Sequence, residues 1–154
     1  MKTTKPLLFA ALLALLIVPA AGAQRAHLGF RAGYNFDRDD ALLGGQIAIP
    51  VSSMVELYPS LDVYLADPGT VMGFNVDLKL RSSGQPQSSV LYFGGGLNMM
   101  NSSFNGSSNM DTGGNLFVGL ESRRGAAHPF FEVRGLLHEQ SSVQLVGGLN
   151  FTLR

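Results

Sequence analysis

Apolar and polar side chains alternate most clearly between Val55 and Leu65. The odd positions of this segment carry Val, Leu, Pro, Leu, Val and Leu, and the even positions carry Glu, Tyr, Ser, Asp and Tyr. Successive side chains of a β-strand point to opposite faces, so the segment has one apolar face and one polar face. A helix would spread the same residues around its axis. The period of two therefore predicts a strand.

The same alternation recurs along the rest of the chain, and turn-forming residues separate its segments. Asp67-Pro68-Gly69-Thr70 is the clearest turn, because Asp, Pro and Gly favour turn conformations. The pattern predicts an all-β chain with eight strands. The longest predicted connection is the Asn- and Ser-rich segment from Met100 to Thr112. The predicted strands cover residues 26–36, 41–51, 55–65, 71–81, 89–99, 113–121, 127–137 and 142–154.

Eight consecutive antiparallel strands predict an up-and-down β-barrel, because closure of the sheet removes both exposed edges. Alternation alone leaves two orientations open. A soluble lipocalin-like barrel has an apolar interior, whereas an outer-membrane barrel has an apolar exterior. The polar face is rich in Gly and Tyr rather than in the Lys and Glu of a wetted face. The predicted strands, mostly of about 9–11 residues, also match the length that a tilted strand needs to cross a bilayer. Both features favour a transmembrane barrel with its apolar face outward and a polar, filled lumen.

The charges on the polar face nearly balance, which suits an enclosed lumen because desolvated charges need partners. Charged residues make up 14% of the chain, below the quarter or so that is usual for a soluble domain. The predicted lumen charge network consists of Arg31, Glu56, Asp62, Asp77, Lys79, Arg81, Glu121, Glu132 and Arg134. The residues predicted to face lipid are Leu28, Phe30, Leu57, Leu61, Val63, Phe74, Val76, Leu78, Phe93, Val118, Phe131, Val133, Leu145, Leu149 and Phe151.

Pro59 lies in the centre of a predicted strand, although proline has no N–H and a closed barrel has no edge strand to accommodate it. A β-bulge or a missing ladder bond is therefore expected at Pro59. Pro129 lies near the start of its strand, where proline is tolerated.

The amino terminus has the three parts of a secretory signal peptide: Lys2 and Lys5, an apolar run, and the Ala21-Gly22-Ala23 cleavage pattern. Residues 1–23 are therefore predicted to be a cleaved signal peptide and residues 24–154 a barrel domain. The alternative is a retained anchor, but the apolar run is short for a span of about 20 residues. Loss of Lys2 and Lys5 leaves nine basic residues against 11 acidic ones. With no basic patch, nucleic acid is not an expected partner.

Two groups of residues carry side chains that occur in catalytic or metal sites. The segment His138-Glu139-Gln140-Ser141-Ser142 has a His near two Ser residues. A Ser nucleophile needs such an adjacent base. The motif of lipid A deacylases is a His, any residue, and then Ser-Asn. Position 140, where that motif would have Ser, is Gln in this chain. A polar surface turn is therefore the favoured interpretation. His27 and His128 are predicted near the same rim, but two His without a carboxylate at metal spacing do not predict a metal site. No catalytic residue, cofactor or metal is expected.

Three segments resemble the small eight-stranded outer-membrane barrels of Gram-negative bacteria, the OmpA/OmpX-like or "porin family" proteins. They are residues 28–36, 129–134 and 145–151, and the resemblance extends over residues 26–154. It implies a location in the bacterial outer membrane, with both termini in the periplasm. Outer-membrane lipid, periplasmic chaperones and the barrel-insertion machinery are the implied partners. The chain ends Phe151-Thr152-Leu153-Arg154, whereas the family usually ends in an aromatic residue.

The expected function is a non-enzymatic envelope role, structural or in surface contact. No open general pore is expected, because side chains fill an eight-stranded lumen. The segment from Met100 to Thr112 is the predicted contact with an unknown surface partner. Two alternatives remain: a soluble periplasmic lipocalin-like barrel that binds a small apolar ligand, and a lipid-modifying outer-membrane enzyme such as a lipid A hydrolase.

Overall fold

A computed structural model of the chain describes residues 25–66, 69–82, 88–104 and 107–153. The predicted signal peptide, Arg154, and Asp67 and Pro68 of the predicted turn lie outside the described residues. Gly69 of that turn has a φ of 115°, which glycine adopts more readily than other residues. Among the described residues, no helix is long and apolar enough to cross a membrane.

Eight antiparallel strands form one closed barrel, in which each strand pairs with its neighbours in chain order and the first pairs with the last. This confirms the predicted fold class. Two strands have the predicted bounds, and the last ends at Thr152 rather than at Arg154. The strands are β1 His27–Asn35, β2 Asp40–Pro50, β3 Val55–Leu65, β4 Thr70–Arg81, β5 Ser89–Phe104, β6 Ser107–Ser122, β7 Ala127–Leu137 and β8 Ser142–Thr152.

The prediction of a long connection from Met100 to Thr112 is wrong. β5 continues to Phe104 and β6 begins at Ser107, so that most of the segment is a β-hairpin. Asn and Ser disfavour strands, but the register with β6 continues without a break to the pair Phe104↔Ser107, and cross-strand pairing decides the conformation. β7 pairs with β6 only as far as Gly114. The hairpin therefore extends beyond the barrel wall on its β6 side.

The expected irregularity at Pro59 is confirmed as a gap in the ladder between β2 and β3. The pairs Gln46↔Ser60 and Ile49↔Leu57 share one register, but the two positions between them are not paired. Because the register is the same on both sides, no extra residue is inserted and there is no bulge. On its other side Pro59 pairs with Val76 of β4, so the barrel stays closed.

The two faces of the sheet differ in the predicted sense. None of the fifteen residues predicted to face lipid is buried: ten are exposed and five are intermediate. The interior instead holds aromatic and polar side chains, and Tyr58, Tyr64, Tyr92 and Arg134 are among the largest fully buried ones. The barrel thus has an apolar exterior and a lumen filled with polar and aromatic groups.

Candidate functional site

The structure places all nine charged residues of the predicted network in the lumen, where each is at most 8% exposed. They form three clusters along the barrel axis. We call the end at which β1 begins and β8 ends the terminal rim, and the opposite end, from which the β5–β6 hairpin extends, the hairpin rim. The alternation of each strand turns these side chains inward, and the register sets their height.

The cluster nearest the terminal rim is centred on Lys79. Its ammonium donates to Glu121 Oε2 at 2.6 Å and lies 3.5 Å from Glu56 Oε2. Arg81 pairs with the other oxygen of Glu56. The Lys79 ammonium also lies 4.1 Å from the centre of the Tyr92 ring, a cation–π distance. Two cations and two carboxylates make this cluster neutral.

The central cluster is built around Arg134, which is fully buried. Its guanidinium donates to Asp77 Oδ2 at 2.7 Å and to Glu132 Oε1 at 2.9 Å. It also lies 4.5 Å from the centre of the Phe117 ring. The Tyr92 hydroxyl donates to the second oxygen of Glu132 at 3.1 Å. One cation between two carboxylates leaves this cluster with a net charge of −1.

The cluster toward the hairpin rim pairs Arg31 with Asp62. The guanidinium donates through Nε at 2.6 Å and through a second nitrogen to the other carboxylate oxygen. Asn75 donates to both Asp62 and Ser60. Asn98 and Asn115 donate in turn to the Asn75 side-chain oxygen, at 2.6 and 3.1 Å. These asparagines were not among the residues predicted for the network. Alternation placed them on the polar face, but their mutual contacts depend on register.

Chemically, the three clusters form a charge-paired polar core. The desolvation of the ions is offset by oppositely charged partners, and Asp62, Glu121 and Glu132 also accept amide or phenol hydrogen bonds. Such an arrangement fixes side chains in place and fills the lumen. It is the polar counterpart of a packed apolar core.

The structure does not assemble the candidate hydrolytic pair at His138. The Ser141 hydroxyl donates to the His138 backbone carbonyl at 3.4 Å, and the buried Ser142 hydroxyl accepts from Asn35 at 3.1 Å. Within the described part of the chain, neither hydroxyl bonds to the imidazole. The ring instead lies 2.6 Å from Asn98 Oδ1, through Nε2, and 3.1 Å from Asp111 Oδ2, through Nδ1.

The two histidines at the terminal rim do come together, and a carboxylate joins them. The rings of His27 and His128 pack edge to face with centres 5.2 Å apart. Glu121 Oε1 lies 3.8 Å from His128 Nδ1. One ligand atom from each of the three residues lies within 4.8 Å of the others. Glu121 was predicted as part of the charge network, but its closeness to the histidines could not be predicted, because the three residues come from three different strands.

No protein-family model and no curated protein matches the sequence. Solved structures with the same architecture do match. The N-terminal β-barrel domain of Pseudomonas aeruginosa OprF has a TM-score of 0.73 at 19% identity, over 84% of this chain and 98% of that one. Ail, the attachment invasion locus protein of Yersinia pestis, has a TM-score of 0.60 at 11% identity, over 84% of this chain and 97% of that one.

A de novo designed transmembrane β-barrel is also similar, with a TM-score of 0.67 at 12% identity over 86% of this chain and 98% of that one. At these identities the likeness extends to the fold and not to an activity. The chain has the fold of the small eight-stranded outer-membrane β-barrels, which confirms the resemblance in sequence pattern to the OmpA/OmpX-like proteins.

Proposed function

We propose that this chain is an outer-membrane barrel with a structural or surface-contact role in the envelope, without enzymatic activity and without an open general pore. The observation that carries the proposal is the distribution of side chains between the two faces. Glu56, Asp62 and Arg134 are fully buried. Phe30 and Leu116, by contrast, are each 61% exposed.

An exterior of this kind favours lipid over water as the surrounding medium. Large apolar side chains are exposed on every strand, whereas soluble monomers rarely expose a contiguous apolar patch of more than a few hundred Å². A soluble lipocalin-like barrel would need the reverse arrangement, with its acidic residues in water. In a bilayer the exposed apolar side chains would contact hydrocarbon instead of water. A closed sheet would also leave no unpaired edge in the bilayer.

The filled lumen supports a role other than conduction. Side chains of the three charge clusters and the rings of Tyr58, Tyr92 and Phe117 occupy the same interior, with Tyr92 and Phe117 6.1 Å apart. The separation of the two Ser hydroxyls from the His138 imidazole supports a non-enzymatic role.

The β5–β6 hairpin is the part of the chain that best suits contact with a surface partner. If both termini are periplasmic, as in the resembling family, the hairpin rim faces the cell exterior. The hairpin exposes 65% of Met110. Ail has been solved with a heparin analogue, sucrose octasulfate. The hairpin here has Asp111 and no Lys or Arg between positions 100 and 114, so its charge does not favour a sulfated polysaccharide.

Fractionation of cells that express the full chain tests the proposal. We expect the protein in the outer-membrane fraction, extracted by detergent and not by salt or alkali, with faster gel migration before boiling than after it. Solubility without detergent would reject the membrane location.

Two further measurements test the negative parts of the proposal. The purified barrel in a planar lipid bilayer should give no steady conductance, and regular open steps would reject the filled lumen. His138→Ala should leave the acyl composition of envelope lipids unchanged relative to the wild type. A changed acyl pattern would instead favour the lipid-modifying enzyme.

A further inference from the structure

We infer that His27, His128 and Glu121 form a binding site at the terminal rim for one divalent transition-metal ion of the Zn²⁺ class. This departs from the expectation of no metal site, and it does not depend on the proposed envelope role. The structure supplies what the sequence lacked, a carboxylate beside the two imidazoles, because β6 and β7 place Glu121 and His128 near the start of β1.

The hydrogen bonds of His128 determine which of its nitrogens faces the carboxylate with a lone pair. Nε2 lies 3.1 Å from the Gly125 carbonyl. A carbonyl only accepts, so Nε2 carries the hydrogen, and in the neutral ring Nδ1 is an acceptor. Nδ1 therefore directs a lone pair toward Glu121 Oε1, which is also an acceptor, at 3.8 Å. At this distance the two acceptors do not bond to each other, and a cation between them would satisfy both.

His27 provides a second nitrogen of the same kind. Its Nδ1 is buried, and like His128 Nδ1 it has no hydrogen-bond partner among the described residues. His128 itself is only 9% exposed. The lumen has other buried polar atoms without a partner, but these two belong to imidazole rings that pack against each other beside a carboxylate. A metal ion bound by both nitrogens and by Glu121 Oε1 would provide the missing partner of each nitrogen.

The Gly125 carbonyl accepts a hydrogen bond from the His128 ring, as second partners of metal-binding histidines do. Such histidines usually donate their other ring N–H to a carbonyl or a carboxylate, which fixes the ring and its tautomer. His128 already makes this bond before any ion is considered. The three ligands would leave a fourth tetrahedral position for water.

The distances require a small contraction of the site. Tetrahedral Zn²⁺, with bonds of about 2.0–2.1 Å, places its ligand atoms about 3.3–3.4 Å apart. The pair formed by His128 and Glu121 is at 3.8 Å, and the three ligand atoms lie within 4.8 Å of one another. His27 is the first residue of β1 and is half-buried, so the contraction would move a residue at the end of a strand.

Nearby charge is compatible with a bound cation. Lys79 holds Glu121 through Oε2, while Oε1 accepts from Asn150 at 3.1 Å and keeps a second lone pair. Arg81 and Lys79 are each paired with carboxylates. The terminal-rim cluster is neutral, with two cations against two carboxylates, so its net charge does not repel a cation. Two imidazoles and one carboxylate favour Zn²⁺, Cu²⁺ or Ni²⁺ over Mg²⁺ or Ca²⁺.

Titration of the metal-free, untagged barrel in detergent with Zn²⁺, followed by calorimetry, tests the site. The measurement is made at about pH 7.5, roughly one unit above the ordinary imidazole pKa. We expect one Zn²⁺ per barrel, and Co²⁺ should give the visible absorption of tetrahedral coordination. His128→Ala should weaken binding at least 10- to 100-fold, because loss of a ligand costs no less than loss of an outer-shell partner.

His138 is the matched control, because it is the one other histidine in the chain and lies at the opposite rim. His138→Ala should bind Zn²⁺ as the wild type does. Heat-modifiable migration shows whether each variant is folded, and His27→Gln replaces His128→Ala if that variant fails to fold. Absence of Zn²⁺ binding by the wild type would overturn the site. So would an equal loss in His138→Ala, or an imidazolium NMR signature of His128 at this pH without metal binding.

Discussion

Arg134 bridges two carboxylates in the middle of the barrel, and its side chain is not exposed at all. Arg134→Ala would leave Asp77 and Glu132 buried without their cation. We expect the free energy of unfolding to fall by roughly 3–5 kcal/mol, the usual cost of removing one partner of a buried ion pair. Urea unfolding of the refolded barrel in detergent, followed by circular dichroism because the chain has no Trp, measures the change.

Arg124→Ala is the control for this charge deletion, because Arg124 is exposed in the turn after β6. A surface substitution of this kind should change stability by no more than about 0.5 kcal/mol. If the two variants were equally stable, the ion pairs of Arg134 would contribute nothing measurable to the free energy of unfolding.

Glycine on the lumen face makes room for the buried rings. A Cβ at Gly119 would meet the Tyr92 ring and would lie 2.6 Å from the Phe131 carbonyl. At Gly114 of the same strand, the nearest atom would be 3.5 Å away, an ordinary contact. Gly119→Ala should therefore lower the free energy of unfolding by about 1–3 kcal/mol, whereas Gly114→Ala should have a much smaller effect in the same urea titration. Equal effects of the two alanines would contradict a tightly filled lumen.

At the scale of residues, the sequence predicts the face of a side chain but not its partner. Alternation alone places Lys79 and Glu121 on the polar face. Their contact joins residues 42 positions apart in sequence, across β4 and β6. Likewise, the asparagine bonds of the third cluster depend on the heights that the strand registers set. These heights follow from closure of the whole sheet, so they cannot be predicted from the alternation within one strand.

At the scale of elements, prediction works where alternation is strong and fails where composition opposes pairing. β3 and β7 have the predicted bounds, and one face of each carries Val, Leu, Phe, Pro, Ala or Gly at every second position. The end of β5 and the beginning of β6 are rich in Asn and Ser, which is a composition typical of loops. The hairpin forms there because each strand pairs with the other along an unbroken register, and local propensity is too weak to prevent it.

The β5–β6 hairpin should be less stable than the barrel wall that it extends. Residues 109–112 pair with β5 on one side and have no β7 partner in the described ladder, whereas residues 114–121 pair on both sides. Hydrogen exchange measured by NMR should therefore show clearly faster exchange of amides in residues 109–112 than in residues 116–120. Equal protection along β6 would mean that another surface covers the hairpin edge.

At the scale of the whole molecule, closure brings together groups that no single strand contains. β8 pairs with both β1 and β7 and so places His27 near His128, and the end of β6 adds Glu121. The orientation of the faces could be predicted, because the polar face has many Gly and Tyr residues and nearly balanced charges, as a filled interior requires. The histidine–carboxylate group could not, because its three residues meet only after the barrel closes.

The outward orientation of Leu61 gives the sharpest test of the proposed location in a membrane. Leu61 is 45% exposed at the centre of β3, opposite Gly45 and Phe74. Leu61→Arg would place a charge near the bilayer midplane, at a cost of about 2–4 kcal/mol, and should reduce insertion. Val51→Arg adds the same charge just beyond the end of β2, where Val51 is 67% exposed and the cost is about 0–1 kcal/mol. The measurement is the heat-modifiable fraction in purified outer membranes. Because the two variants differ in depth and not in charge, equal insertion would mean that the apolar exterior does not face hydrocarbon.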